Sequence, residues 1–280
     1  MFASKALFNE PMGLSADANG NIYVADRSNN QIRMITPDRY VSLVAGSPRG
    51  FSGFKSGIGS QALFNSPNDV AADASGNIYV ADMMNHSIRL IKGGICQVNT
   101  IAGNGIAGDS YGNGMKAQFN TPYGITVDTS GRGLINDSGN YKIKRLEKNL
   151  DVVKFSGSGV KGIQLGDAST CQYQDLKFAD VDKSGNLWVI DMREDGHSRM
   201  LRVDGSGIPG IVKDFDQLTC AIGVALASTN YLYVAESVFE ISQYSSSSSS
   251  SSSSVNDKGA KVTEDDNTRI TENGYYLYHQ

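Results

Sequence analysis

The sequence predicts an all-β fold, a β-propeller built from four-stranded blades. Three observations predict it: a unit of about fifty residues repeats along the chain, each unit contains four short runs of β-type side chains, and turn-forming residues separate those runs. The 3.6-residue apolar period that a helical solenoid needs does not appear in the pattern.

The repeat is clearest in one seven-residue stretch. Gly-Asn-Ile-Tyr-Val-Ala-Asp occurs at 20–26 and again, letter for letter, at 76–82. Looser copies end on an acid at Asp137, Asp191 and Glu236. Five blades are therefore recognisable, and a sixth follows if the C-terminal tail supplies further strands.

Two polar devices recur within the units. An Asp precedes each of the first four terminal acids by nine residues, in the predicted turn between the first two strands, where Asp side chains accept hydrogen bonds from turn amides. An Asp–Arg or Asp–Lys pair recurs across the next turn in the first three units. In the fourth unit an insertion around 194–196 shifts Leu201 and Arg202 out of step.

Recurrence in every blade is what a structural device requires, whereas a catalytic site is needed once. We therefore interpret the recurring charged residues as structural. They are Asp17, Asp26, Arg33, Asp73, Asp82, Arg89, Asp128, Asp137, Lys144, Asp182 and Asp191.

The string Ala-x-Phe-Asn-x-Pro, followed by Asp-x-x-Gly-Asn-Ile-Tyr-Val-Ala-Asp and then Asn-x-x-Ile-Arg, resembles the NHL repeat of β-propeller proteins. The last part is carried by Asn29, Ile32, Arg33, Asn85, Ile88 and Arg89, and in looser form by Asn140, Ile143 and Lys144. The resemblance covers about residues 6–244 and implies an NHL-type propeller. It implies no single function, because such propellers serve as enzymes, RNA binders and scaffolds.

The chain divides into three parts by composition. Residues 1–244 form the propeller, and the ten consecutive serines at 245–254 read as a flexible linker. Residues 255–280 form a tail with a predicted β-hairpin, because Asn273-Gly274 separates two β-type runs.

Composition excludes several classes of protein. The net charge of -4 gives no global attraction to DNA, and no apolar run approaches the ~20 residues of a transmembrane helix. Cys96, Cys171 and Cys220 are too few for a disulfide framework and lack metal-type spacing. The glycine-rich loops at 45–60 and 102–114 lack the Gly-Lys-Ser/Thr ending of a phosphate loop, so we expect flexible inter-blade connections.

No cofactor is predicted, and calcium is the one candidate metal. Its ligands would be the oxygen-bearing side chains that approach a central channel if the strand starts line it. They are Asn68, Asp69, Asp180 and Glu236. The three histidines, His86, His197 and His279, are expected at the surface, because none stands at an inner-strand end.

Basic residues gather in the third unit beside Tyr141, at Lys142, Lys144, Arg145 and Lys148. Such a cluster suits either a solvated blade edge or an RNA-binding face. Two sequons, at Asn85 and Asn136, and the serine run tilt the location slightly towards the extracellular side.

The sequence thus favours a non-catalytic protein-interaction or structural scaffold propeller, part of a larger assembly or extracellular structure. Its partners would be proteins or further copies of itself. A divalent-metal-dependent enzyme of lactonase or lyase type is the alternative, and an RNA-binding NHL module is a weaker one.

Overall fold

A computed structural model describes residues 5–219, 221–226, 231–236, 268–270 and 276–279. This part of the chain consists of β-strands joined by turns and single 3-10 turns, and it contains no α-helix. It also holds no helix with the length and apolar composition of a membrane span. The all-β propeller prediction is confirmed. The serine run lies outside the described residues.

Four blades are described in full, each an antiparallel sheet in chain order. Blade 1 contains β1 (Pro11–Ala16), β2 (Ile22–Asp26), β3 (Gln31–Ile35) and β4 (Val41–Gly46). Blade 2 contains β5 (Gly57–Ile58), β6 (Pro67–Ala72), β7 (Ile78–Asp82), β8 (Ser87–Lys92) and β9 (Gln97–Ala102). Blade 3 contains β10 (Gly112–Asn113), β11 (Pro122–Val127), β12 (Gly133–Asp137), β13 (Lys142–Leu146) and β14 (Asp151–Ser156). Blade 4 contains β15 (Leu176–Val181), β16 (Leu187–Met192), β17 (His197–Val203) and β18 (Pro209–Thr219).

The inter-blade loops are more ordered than the sequence predicts. Strands β5 and β10 arise within them and pair with the outer strands β9 and β14, which makes blades 2 and 3 five-stranded. A single 3-10 turn follows each short strand, at Gly59–Gln61 and Gly114–Lys116.

The number of full blades differs from the predicted five. A fifth sheet pairs β19 (Ala221–Leu226) and β20 (Tyr231–Glu236) with β21 (Thr268–Ile270) and β22 (Tyr276–His279), in the order β19-β20-β22-β21. The count differs because the fifth unit supplies only two strands of the repeat pattern, and the two outer strands come from the tail. The Asn273-Gly274 turn lies outside the described residues.

The hairpin turns follow from the recurring Asp. In blade 1 Asp17 Oδ1 accepts the backbone N–H groups of Asn19 and Asn21, both at 2.9 Å, and Oδ2 accepts Asn21 Nδ2 at 2.8 Å. These bonds, the Asn21 side chain first, hold the pKa of Asp17 below its ordinary value. The same pattern of turn amides surrounds Asp73, Asp128 and Asp182.

The first strands of successive blades, β1, β6, β11, β15 and β19, lie side by side, and the apolar core lies between the blades. Because strands alternate in direction, the first strand begins on the same face as the second and fourth strands end. We call this the upper face. It carries the inter-blade loops and the 3-10 turns at Arg27–Asn29, Met83–Asn85 and Ser138–Asn140, and the Asp17-type turns lie on the opposite, lower face.

Candidate functional site: the upper face

Asp82 closes the upper end of blade 2. It is fully buried at the end of β7, where its Oδ1 accepts the backbone N–H of Asn65 at 2.8 Å. Its Oδ2 accepts Asn85 Nδ2 and the guanidinium of Arg89, both at 2.8 Å. The carboxylate therefore fixes the incoming loop, the 3-10 turn and β8 to one another.

Arg89 is equally enclosed. Its guanidinium carbon lies 5.1 Å from the ring centre of Phe54 and 5.3 Å from that of Phe64, within the range of a cation–π contact. The remaining donors reach the backbone carbonyls of Leu63 at 3.1 Å and Lys55 at 2.9 Å. Both members of the pair are thus committed to the interior of the blade.

The other blades repeat this device with different burial. The Asp26–Arg33 distance is 3.2 Å, with 15% of the Arg33 side chain exposed, and the Asp137–Lys144 distance is 2.8 Å. In blade 4 Arg199 pairs with Asp191 at 2.7 Å.

Arg199 is the residue that sequence reasoning missed. The insertion places eight residues between acid and base instead of seven, so the pair falls out of the repeat spacing. The signal that could have found it is the pair of apolar residues that follows Arg199, as a pair follows Arg89.

Burial controls the acidity of these acids. It raises the pKa of Asp82 to about 6, although Arg89 and the hydrogen bonds oppose the rise. Burial also raises the pKa of Asp137 and Asp191, against the neighbouring Lys144 and Arg199. Each carboxylate is occupied by backbone and side-chain donors, so the arrangement suits fastening of loops better than proton transfer to a ligand.

The basic cluster of blade 3 is an ion-pair network and not a solvated edge. Lys144 is fully buried, with Nζ 2.8 Å from Asp137 and 3.0 Å from Asp109, and Lys142 also pairs with Asp109. Arg145 pairs with Glu147 at 2.6 Å. The solvated-edge interpretation is therefore wrong for the two lysines, because acids of the loop and of β12 neutralise them.

The residues suggested for calcium lie on the inner strands. Asn68 Nδ2 donates to the carbonyl of Tyr123 at 2.7 Å, and the Asp69 carboxylate accepts the N–H groups of Ile125 and Val70, both at 2.8 Å. Burial raises the pKa of Asp69 well above its usual range, and Asp180 adds to the rise.

These contacts fasten blade 2 to blade 3. Within the described residues no group of three His, Cys, Asp or Glu side chains could hold a metal, and the side chain of Glu236 is outside that part. Calcium stays a prediction.

The sequon residues are not presented to solvent. Asn85 and Asn136 are both buried. Asn85 Nδ2 donates to Asp82 and to the carbonyl of Gly53, both at 2.8 Å, and Asn136 Nδ2 donates to the carbonyl of Lys177 at 2.5 Å. The folded blades therefore argue against glycan attachment at either residue.

His86 lies in the seam between blades 2 and 3 and not at the open surface. Its Nδ1 accepts the backbone N–H of Thr121 at 3.1 Å. In the preceding seam Asn30 Oδ1 accepts the N–H of Ser66 at 2.8 Å from the equivalent place. Burial lowers the pKa of His86.

Acidification is expected to weaken this seam. Since the folded-state pKa of His86 is lowered, the unfolded chain takes up the proton first as pH falls through 6.5, and the stability that neutral His86 provides is lost below that value. We expect a loss of about 1 kcal/mol in the free energy of unfolding between about pH 7.5 and pH 5, measured by urea unfolding. His86→Asn, which copies Asn30, should remove this part of the pH dependence; identical pH profiles would contradict the assignment.

Three inter-blade loops present an apolar side chain at the same place. Phe51, Ile106 and Val160 are 60%, 63% and 56% exposed. Each follows a glycine with positive φ and comes two residues before a glycine whose N–H donates to the aromatic residue that begins the next blade. Sequence reasoning missed this set, because exposure of a loop side chain depends on the packing of the blades below it.

Comparisons with known proteins agree with the repeat pattern. A family model described as the NHL repeat matches residues 8–33 and 64–89. Human NHL repeat-containing protein 2 is 31% identical over 196 residues, which cover 61% of this chain and 27% of that protein. The human E3 ubiquitin-protein ligase TRIM32 is 27% identical over 157 residues, which cover 55% of this chain and 22% of that protein.

Among solved structures, selenomethionine-substituted virginiamycin B lyase from Staphylococcus aureus superimposes with a TM-score of 0.54 at 14% identity, over 84% of this chain and 66% of that chain. Likeness at this identity shows the propeller fold alone. The chain spans about a quarter of the length of the two human relatives.

Proposed function

Because this chain carries NHL repeats and folds as a β-propeller, we propose that it is a non-catalytic protein-interaction module that binds a protein partner through its upper face. The observation that carries the proposal is the set of exposed apolar side chains Phe51, Ile106 and Val160 at equivalent places in three loops. Loops on a rigid scaffold commonly carry recognition, and clustered exposed apolar groups commonly mark an interface.

The proposal includes the finer parts of the sequence prediction. The fifth sheet counts as a fifth blade, and the chain divides into a propeller at 1–244, a linker at 245–254 and a tail at 255–280. The propeller acts as a scaffold within a larger assembly. An extracellular location belongs to this proposal as its least supported part, because both sequon asparagines are buried.

A divalent-metal-dependent enzyme is the second candidate. The observation that favours it is the buried Oδ1 of Asn68, which has no hydrogen-bond partner and stands next to Asp69 in the chain. Calcium takes oxygen ligands of this kind. RNA binding is weaker, since Lys142 and Lys144 are already paired with acids.

Affinity capture with paired variants tests the proposal. The full chain and a Phe51→Asp/Ile106→Asp/Val160→Asp variant would be used to capture proteins from an extract of the source organism, and each captured protein would then be purified and titrated. We expect one protein whose affinity for the loop variant falls by about tenfold or more, because an Asp at each site places a charge in an apolar contact.

The control is Ile95→Asp, a substitution on the lower face of blade 2 at a side chain that is 58% exposed. It should bind the partner as the unmodified chain does, and all three proteins should show the same unfolding midpoint within a few degrees. A partner that binds the loop variant with unchanged affinity would refute the upper-face proposal.

A further inference from the structure

The side of blade 1 that faces away from blade 2 is built like a blade–blade interface but is only partly covered. In the first strand of each blade, one apolar residue opposes the middle of the second strand and packs on the preceding blade. Val70 and Ile125 hold this place in blades 2 and 3 and are 2% and 3% exposed. Leu14 holds it in blade 1 and is 62% exposed.

A second residue follows the same rule. Ile78 and Leu187 begin the second strands of blades 2 and 4, and both are buried against the preceding blade. Ile22 begins β2 at the same register and is 39% exposed. The uncovered surface, formed by Leu14 and Ile22, thus continues an interface that recurs between every pair of full blades. We call it the open face.

The surface that covers such a face is also defined by the structure. Blade 1 covers blade 2 with a cluster that includes Tyr23 and Ala25 of β2. Strand β20 repeats this pattern, because Tyr233 opposes Ala225 as Tyr23 opposes Ser15, and Ala235 follows as Ala25 does. The fifth sheet therefore carries the residue types that an open face receives.

The chain's own fifth sheet packs on blade 4, through β19 against β15 and β16, and leaves Leu14 and Ile22 accessible. A second copy can bring the same sheet to the open face without rearrangement. We propose that copies of this chain associate head to tail, with the fifth sheet of one copy on the open face of blade 1 of the next. Such a contact is heterologous, so it builds chains or closed rings and not a two-fold dimer.

Sedimentation of the full chain over a range of concentrations tests this association. The unmodified chain should form species larger than 30.0 kDa as its concentration rises, and Leu14→Asp should weaken the association by about tenfold or more, because it places a charge in an apolar contact. The control Ile95→Asp alters a similarly exposed side chain on the lower face and should associate normally.

Mixing two variants tests the head-to-tail geometry. Leu14→Asp removes the open face, and Tyr233→Asp removes the covering sheet, so each variant alone should remain a monomer. Their mixture retains one intact face from each copy and should form a dimer. The design tolerates local unfolding of the fifth sheet in Tyr233→Asp, because only the blade 1 face of that variant is needed.

Three results would overturn the proposal. An unmodified chain that stays monomeric at all concentrations would mean that the open face does not bind a second copy. Association unchanged by Leu14→Asp would assign it to another surface. A mixture that stays monomeric, although the unmodified chain associates, would exclude the head-to-tail contact.

Discussion

Replacing Arg89 by methionine is expected to lower the free energy of unfolding by about 3–5 kcal/mol. The substitution leaves the buried Asp82 without its cation and removes the donors to two loop carbonyls, while the stacked rings of Phe54 and Phe64 lose their central charge. Urea unfolding at neutral pH measures the loss.

The matched control is Arg33→Met in blade 1, which removes the same device from a more open setting. The Asp26–Arg33 contact is longer, at 3.2 Å, and 15% of the Arg33 side chain is exposed, so we expect a loss of about 1 kcal/mol. Equal losses for the two variants would show that burial of the pair is not what sets its contribution.

Gly103→Ala is expected to cost about 2–5 kcal/mol of unfolding free energy. Gly103 ends the fourth strand of blade 2 with φ of +86°, a conformation that costs L-residues roughly 1–2 kcal/mol. A Cβ at this position would lie 2.5 Å from the carbonyl oxygen of His86 and 2.8 Å from the Cα of Ser87, and overpacking of this kind typically adds about 1–3 kcal/mol.

Gly76→Ala separates the two causes. Gly76 lies in the same blade with φ of +76°, but a Cβ there would meet nothing within 4 Å. It should therefore cost only the conformational part, about 1–2 kcal/mol. A Gly103→Ala variant as stable as Gly76→Ala would contradict the close approach of the fourth strand to the turn.

Local patterns carried the fold prediction far. The Asp17-type turns and the strand-ending acids have fixed spacings, and the hydrogen bonds that they form lie within one blade. The Asp191–Arg199 pair escaped because one inserted residue changes the spacing without changing the geometry. The blade count differed because the outer strands of the fifth sheet come from a distant segment of the chain.

The features that sequence reasoning missed depend on contacts between blades. The seam formed by His86 and Thr121 joins residues that lie 35 positions apart, and the same holds for Lys144 and Asp109 at the blade 3 loop. No single repeat shows such a contact. The exposure of Phe51, Ile106 and Val160 likewise appears only when the loops are placed on their blades.

A division of labour follows for the upper face. The recurring charged residues are buried and satisfied by one another and by loop backbone, so they hold the loops in place. The apolar side chains at the loop tips have no such internal role. We therefore assign fold maintenance to the first set and partner recognition to the second.

Parallel measurement of partner affinity and unfolding midpoint tests this division most directly. For the triple loop variant, we predict an affinity reduced by about tenfold or more with a midpoint close to that of the unmodified chain. For Arg33→Met we predict a lowered midpoint and unchanged affinity. A loop variant that binds as well as the unmodified chain, or an Arg33→Met variant that folds normally and loses the partner, would contradict the account.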